Sequence, residues 1–218
     1  MKGDRTRAAI LERAVDLASL EGLEGLTIGR LADDLELSKS GLFAHFGSKE
    51  DLQLATIEAA SARFIDAVFR PALEAPRGYP RLAALCQAWL DYVGRSVFPG
   101  GCFFAAASFE FDGRSGPVRD SIEATMNAWI AAIEKAVRMA KDEGHFEKNV
   151  DPAQLAFELN ALFFGANFAY NMRHDKRALE RARIAIKQRL DSVRVKRARR
   201  TPPARSARPR SARAPRRA

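Results

Sequence analysis

The amino-acid sequence predicts an all-α fold, and three observations support that prediction. Apolar residues recur at helical spacing along most of the chain before residue 194. Short breaks rich in glycine or proline separate these segments, and no segment shows the sustained alternation of polar and apolar residues that is typical of a strand. A length of 218 residues fits one domain of ordinary size or two small ones. We therefore expect about nine helices followed by a C-terminal tail.

The first four predicted helices are marked by the residues that begin and end them. Glycines follow the first helix, and a serine or threonine suited to capping a free main-chain N–H precedes each of the next three. These helices are expected at residues 5–21, from Thr27 through Leu35, from Ser38 to about Phe46, and from Ser48 to about Phe69. Prolines and a glycine within residues 71–80 predict a break after the fourth helix.

Five further helices are predicted between this break and residue 193. They are expected near residues 80–97, 103–111, 117–143, 152–172 and 175–193. Glycine-containing breaks separate most of them, and Asp151 followed by Pro152 is typical of a helix start, because the first turn tolerates proline.

The excess positive charge is confined to the last 25 residues. The chain has a net charge of +9, but residues 194–218 contain 11 Lys or Arg, four prolines and no acidic residue. The rest of the chain holds 25 basic and 27 acidic residues, a net charge of −2. Without apolar surface to bury, the tail is expected to be disordered. Its cations suit sequence-independent contacts with DNA phosphates, and a solvated tail without a dedicated role is the alternative.

The stretch from Thr27 to Phe46 has the spacing of a helix-turn-helix. Two helices of about eight residues are joined by three residues, and the small Ala32 allows their backbones to approach closely. We expect Leu37 to plug the connection, while the second helix carries small and polar residues outward. Such a face fits a major groove, with the free N–H groups at the helix start near phosphates. The same spacing also fits a helical corner in an unrelated all-α protein.

A longer stretch, residues 31–52, resembles the signature of the TetR/AcrR family of bacterial transcriptional regulators. It reads LADDLELSKSGLFAHFGSKEDL, and residues 18–27 before it match the approach to that motif. The resemblance covers residues 5–60, whereas residues 61–193 match only in having helices of suitable length. It implies a homodimer whose DNA-binding heads are carried by helical ligand-binding domains. Such a protein represses transcription from a palindromic operator until a small molecule releases it, in the cytoplasm and at the nucleoid.

The resemblance implies two parts within residues 1–193 and a set of DNA contacts, whereas the tail is not part of the family pattern. Residues 1–50 are expected to form the DNA-binding head, 51–193 the ligand-binding and dimerisation domain, and 194–218 the tail. The implied DNA-contacting residues are Thr27, Ser38, Lys39, Ser40, Gly41, Phe43, His45 and Lys49. Lys39, Ser40 and Gly41 would face base edges, whereas Thr27 and Lys49 would position phosphates. Two departures are Phe43, where the family often has tyrosine, and Glu36, where glycine is common.

Aromatic residues concentrated in residues 86–170 indicate a ligand pocket between helices, although each taken singly fits an ordinary core. The effector is therefore expected to be partly apolar or aromatic. The candidate ligand-binding residues are Trp89, Tyr92, Phe104, Glu110, Asn127, Trp129, Phe164 and Asn167.

Small residues on the penultimate helix and an apolar stripe on the last indicate a dimer interface, although packing within one chain explains both stripes equally well. The candidate interface residues are Ala161, Gly165, Ala169, Ile186 and Leu190. The resemblance favours the dimer.

The sequence contains few candidates for redox-active, metal-binding or catalytic residues. Cys86 and Cys102 are too far apart for a CxxC pair, so the favoured interpretation is two buried small hydrophobes, and a thiol-based sensor stays open. No metal-ligand spacing is present, and we expect neither a metal nor a cofactor. An enzyme is disfavoured because the sequence has no glycine-rich phosphate loop and no plausible nucleophile–base pair. A sequence-independent nucleic-acid binder driven by the tail is the second alternative.

Overall fold

The computed structural model of the protein describes residues 2–195, with side chains from Arg5 onward. Within that range it confirms the all-α prediction: nine helices account for most residues, and no strand is present. The helices are α1 (Lys2–Glu21), α2 (Ile28–Leu35), α3 (Lys39–Phe46), α4 (Lys49–Phe64, continued by a π-helical turn at Ile65–Phe69 and an α-helical turn at Arg70–Leu73), α5 (Tyr79–Gly94), α6 (Phe103–Phe111), α7 (Pro117–Asp142), α8 (Pro152–Asn167, continued by a π-helical turn at Phe168–Met172) and α9 (Ala178–Ser192). None of these described helices is long and apolar enough to span a membrane.

The three predicted capping residues begin their helices as expected. Thr27 Oγ1 accepts a hydrogen bond from the N–H of Arg30 at 3.0 Å. Ser38 Oγ accepts from Gly41 N–H at 3.1 Å, and Ser48 Oγ accepts from the N–H three residues on at 3.0 Å. Each cap satisfies a donor that helix geometry leaves unpaired, which explains why the short α2 and α3 begin where they do.

The predicted break is present at residues 74–78, but α4 ends at Leu73, four residues later than the expected end near Phe69. In a regular α-helix the ring of Pro71 would clash with the carbonyl four residues earlier. The preceding turn widens instead, and the N–H of Arg70 bonds to the carbonyl of Ile65, five residues back. This π-helical turn allows the helix to pass through the proline.

The connection between α2 and α3 also differs from the expectation. The Leu37 side chain is 46% exposed and does not plug it. Glu36 adopts a left-handed conformation with φ +53°, which turns the chain so that the N–H of Leu37 bonds to the carbonyl of Ala32 at 3.0 Å. This main-chain bond closes the connection, and the leucine side chain is left outside.

The folded part extends two residues into the predicted tail. Val195 N–H donates to the carbonyl of His145 at 3.1 Å, and Arg194 forms an isolated bridge with Phe146. The guanidinium of Arg194 also lies 4.3 Å from the centre of the Tyr79 ring. The rest of the predicted tail, residues 196–218, lies outside the described residues.

Two sets of contacts, one from α4 and one from the loop after α5, fasten α1 to the larger helical body. The guanidinium of Arg63 on α4 donates to the Asp16 carboxylate at 2.6 Å and also binds Glu12. The loop after α5 meets the end of α1, where Gly100 N–H donates to Ser19 Oγ at 2.7 Å. The backbones approach so closely here that a Cβ on Gly100 would lie 1.7 Å from the carbonyl oxygen of Ser19.

We predict that Gly100→Ala lowers the free energy of unfolding by about 1–3 kcal/mol, because the loop must withdraw from α1. Gly113→Ala is the matched control: no atom lies within 4 Å of its Cβ position, so the change should stay within about 0.5 kcal/mol. Urea denaturation of both variants measures the difference. Equal stability of the two variants would contradict the close approach at Ser19.

Candidate DNA-binding face and buried cavity

The first turn of α3 presents the residues that the sequence predicts for base contacts. Lys39, Ser40 and Gly41 are all exposed, whereas the opposite side of α3 is buried through Leu42 and Phe46. This division leaves the polar face and the N-terminus of α3 open to a ligand. A groove of DNA could therefore be reached without unfolding any part of the head.

Phe43 and His45 lie further along α3. Phe43 is 53% exposed, but its ring has no hydroxyl group that could donate a hydrogen bond to a phosphate oxygen. His45 is half-buried, and its ring centre lies 6.2 Å from that of Phe46. Both remain close to the exposed first turn of the helix.

The three remaining predicted contacts, Thr27, Ser38 and Lys49, have partners within the chain. The Thr27 and Ser38 hydroxyl oxygens cap α2 and α3, which leaves each hydroxyl hydrogen available to an outside acceptor. The ammonium of Lys49 binds the Glu24 carboxylate at 2.8 Å, and this contact holds the pKa of Glu24 below its usual value. Lys49 thus reaches a phosphate only by sharing or leaving Glu24.

Several acidic residues of the head form ion pairs with basic side chains. Arg13 binds the Asp34 carboxylate through two hydrogen bonds of 2.5 and 2.9 Å, and this guanidinium holds the pKa of Asp34 below its usual range. Arg30 likewise binds Glu21. Although residues 1–50 carry seven basic and nine acidic residues, paired acids repel DNA less than free ones.

A cavity of about 670 Å³ opens between the helices of the body. Most of the residues around it are apolar, and exposed Ile65, Ala124 and Ala128 mark its opening. Its described lining comprises Ser61, Phe64, Ile65, Phe69, Trp89, Cys102, Phe104, Ala105, Ser121, Ala124, Thr125, Met126, Ala128, Trp129, Ala132, Asn160, Phe163 and Phe164. The volume of the cavity and the apolar composition of its lining are typical of a small-molecule binding site.

Half of the predicted ligand-binding residues line this cavity, namely Trp89, Phe104, Trp129 and Phe164. The other four lie elsewhere. Tyr92 is buried behind Phe64, with its ring centre 5.3 Å from that ring. Asn127 is exposed on α7, and Asn167 accepts a hydrogen bond from the Cys102 N–H at 2.9 Å.

Glu110, the fourth of these, binds the head instead of facing the cavity. Its carboxylate accepts hydrogen bonds from the N–H groups of Leu23 at 2.8 Å and Glu24 at 3.0 Å. Gly22 permits this approach, because it has φ +89° and a Cβ there would lie 2.7 Å from a Glu110 oxygen. On the other side of the same turn, Gln53 of α4 donates to the carbonyl of Leu23 at 2.8 Å.

Helix α4 contributes to the cavity, which was not predicted from the sequence. Ser61, Phe64, Ile65 and Phe69 all line it, and the π-helical turn lies within this segment. The apolar pattern of residues 49–69 is visible in the sequence. That pattern does not show which side of the helix faces a cavity, because Ser61 and Phe64 precede the π-helical turn and Ile65 and Phe69 lie within it.

Two of the predicted dimer residues are committed to the core of their own chain. Ile186 and Leu190 are 4% and 2% exposed, because α9 packs its apolar stripe against α8 and α5. Ala161 and Gly165 are exposed and Ala169 is half-buried. Large apolar side chains stand exposed beside them on the same helix, namely Phe157, Phe168 and Met172.

The two cysteines are buried, and burial raises the pKa of both thiols, that of Cys86 to about 12. Cys102 lines the cavity. Since a thiolate is the reactive form, these shifts disfavour a thiol-based sensor.

We predict that iodoacetamide labels neither Cys86 nor Cys102 in the native protein at pH 8. A thiol with a pKa of about 12 holds about a thousandfold less thiolate than one with the ordinary value of 9.0. Mass spectrometry measures the labelling, and complete labelling in urea is the control. Rapid native labelling at Cys102 would restore the sensor hypothesis.

Comparisons with known proteins agree with this geometry. The family described as bacterial regulatory proteins of the tetR family matches residues 10–56, which include α2 and α3. A second model, the tetracyclin repressor-like C-terminal domain, matches residues 78–186, which is half of the chain.

Individual proteins that are similar to this chain agree with the family models. The HTH-type transcriptional regulator TcmR of Streptomyces glaucescens is 35% identical over 92 residues, which cover 42% of this chain and 38% of TcmR. The transcriptional repressor NemR of Escherichia coli is 24% identical over 84% of this chain and 92% of its own. A TetR regulator from Chloroflexus aurantiacus has the same fold, with a TM-score of 0.83 and 24% identity over 89% of this chain and 99% of its own. The chain therefore belongs to the TetR family of bacterial regulatory proteins and is a DNA-binding transcriptional regulator.

Proposed function

We propose that the protein is a dimeric repressor that leaves a palindromic operator when a small molecule fills the cavity. One observation carries this proposal: α6 lines the cavity with Phe104 and Ala105, and its last turn holds the head through Glu110. A ligand that displaces α6 therefore acts on the turn between α1 and α2. The site of action is the nucleoid, where operators lie, and no catalytic step is involved.

We assign residues 1–50 to the DNA-binding head and residues 51–193 to the ligand-binding and dimerisation domain. The first turn of α3 would enter the major groove, with Lys39, Ser40 and Gly41 at base edges. Exposure of this turn supports the assignment. Helix α4 joins the two parts, because it begins beside the head and lines the cavity from Ser61 onward.

The dimer would form through the exposed face of α8. Phe157, Phe168 and Met172 are 67%, 57% and 73% exposed and lie on one side of the helix, with Ala161 and Gly165 between them. No atom of the chain lies within 4 Å of the Cβ position of Gly165, so a partner helix could approach closely there. A large exposed apolar face of this kind is typical of a protein–protein interface.

Selection of bound duplexes from a random DNA pool tests the function. The proposal predicts enrichment of one palindromic sequence whose half-sites face the two heads of a dimer. Uniform binding to all duplexes, with a steep salt dependence, would instead favour sequence-independent binding by the basic tail.

We predict that Lys39→Ala changes which operator bases are tolerated, because a contact to base edges is lost. Lys49→Ala should weaken binding about equally on all sequences, since a phosphate contact carries no base preference. Lys148→Ala, which removes an exposed charge outside the head, is the control and should leave affinity within about twofold. Binding to a library of single-base operator variants measures all three. Identical base preferences for Lys39→Ala and the unmodified protein would remove Lys39 from the reading face.

We predict that Phe168→Glu shifts the protein from dimer to monomer, because it places a charge in a close-packed helical contact. The matched control is Leu73→Glu, which alters another exposed apolar side chain, 61% exposed at the end of α4. Light scattering after size-exclusion chromatography gives the molar mass. A monomeric mass for both variants, or a dimeric mass for both, would place the interface elsewhere.

A further inference from the structure

None of the described residues that line the cavity carries a charge that could form an ion pair with a ligand. Among its described lining residues none is ionised at neutral pH, and the polar ones are Ser61, Ser121, Thr125, Asn160 and the thiol of Cys102. A ligand with a full charge would lose its hydration without gaining an ion pair, which is costly in an apolar site. The lining therefore favours uncharged molecules.

Aromatic rings form much of the wall and are locked against one another. The ring of Phe64 meets those of Phe104 and Trp129 edge to face, with centres 5.9 and 5.4 Å apart. Phe69 meets Trp129 at 5.7 Å, and Phe163 lies 4.5 Å from Trp89. Rings held by such contacts keep their orientation and present flat apolar surface, on which another aromatic ring packs well.

Asn160 supplies the one amide among the described lining residues, and its orientation is fixed. Trp129 Nε1 donates to Asn160 Oδ1 at 3.1 Å. An indole N–H is only a donor, so the amide oxygen must face it and the Asn160 Nδ2 group must face away. Within the described part of the chain, no residue accepts a hydrogen bond from that nitrogen. Because Asn160 lines the cavity, its Nδ2 group is an amide donor that a ligand beside the aromatic wall could reach.

We infer that the cavity selects an uncharged, flat, multi-ring molecule whose carbonyl or similar acceptor binds Asn160 Nδ2. This inference rests on the proposed function and specifies the effector class. The volume of about 670 Å³ leaves room for several fused rings. Selection against charge comes from the apolar lining, and selection for an acceptor comes from the fixed amide.

The tryptophans allow a direct test, because the chain contains two and both line the cavity. Quenching of their fluorescence measures occupancy by four probes: 9-fluorenone, fluorene, 9-oxofluorene-4-carboxylate and phenyltrimethylammonium. Fluorenone and fluorene differ in the ketone, and the carboxylate adds a negative charge to the fluorenone skeleton. We expect fluorenone to bind about threefold to tenfold more tightly than fluorene, as one net hydrogen bond provides. The carboxylate and the cation should bind at least about tenfold more weakly than fluorenone.

Two variants separate recognition by Asn160 from a structural role. Asn160→Asp keeps an acceptor for Trp129 Nε1 but removes the N–H donors, so the preference for fluorenone should disappear. Asn160→Leu should remove that preference while fluorene still binds. Ser121→Ala changes another polar lining residue and should keep the preference. Thermal unfolding of each variant verifies that it is folded.

The outcomes distinguish this inference from the function on which it rests. Equal affinity for fluorenone and fluorene in the unmodified protein, or a preference that survives Asn160→Asp, would overturn the acceptor assignment. Tightest binding of the carboxylate or of the ammonium would overturn the uncharged class, although the cavity would remain a ligand site. No quenching by any probe would contradict both the inference and the proposed role of the cavity.

Discussion

The carboxylate of Glu110 holds the turn between α1 and α2, and the position of the DNA-binding head on the helical body depends on this contact. It accepts hydrogen bonds from two successive main-chain N–H groups, at Leu23 and Glu24. Without a partner, half-buried donors of this kind carry a desolvation penalty. Gly22 is required beside it, since a side chain at that position would occupy the space of the carboxylate. The chain therefore combines a glycine turn on one element with an acid on another to fasten two parts of the fold.

In the proposed function, the contact made by Glu110 also connects the cavity to the head. Helix α6 has Phe104 in the cavity wall and Glu110 on the head, and a short helix moves as a rigid element. Helix α4 provides a parallel route, because Phe64 lines the cavity and Gln53 binds the carbonyl of Leu23. Both helices contact the turn between α1 and α2, so a change in the shape of the cavity could reach this turn through either helix. In the proposed function this arrangement would couple the cavity to the head, because both sites would bias a single element.

Local features of the structure could be predicted from the sequence, whereas the directions in which side chains face could not. The caps at Thr27 and Ser38 follow from the residue type at a helix start, and the family motif follows from the same stretch. From the sequence, Glu110 is assigned to the pocket as a polar group able to orient a ligand, but its position around α6 turns it to the head. Leu190 is a second example. An apolar stripe on a helix has the same helical spacing whether it packs against its own chain or against a partner, so the sequence could not show that Leu190 is buried in its own chain.

Amide hydrogen exchange at Leu23 and Glu24 tests the central claim most directly, with and without 9-fluorenone at a concentration that quenches both tryptophans. In the empty protein both amides should exchange slowly, because Glu110 accepts from them. Filling the cavity should speed their exchange at least about tenfold, a loss of about 1.4 kcal/mol of protection. In the Glu110→Gln variant both amides should exchange faster even when the cavity is empty, and the ligand should change their exchange rates less. Unchanged exchange at both amides while the cavity is occupied would contradict the account.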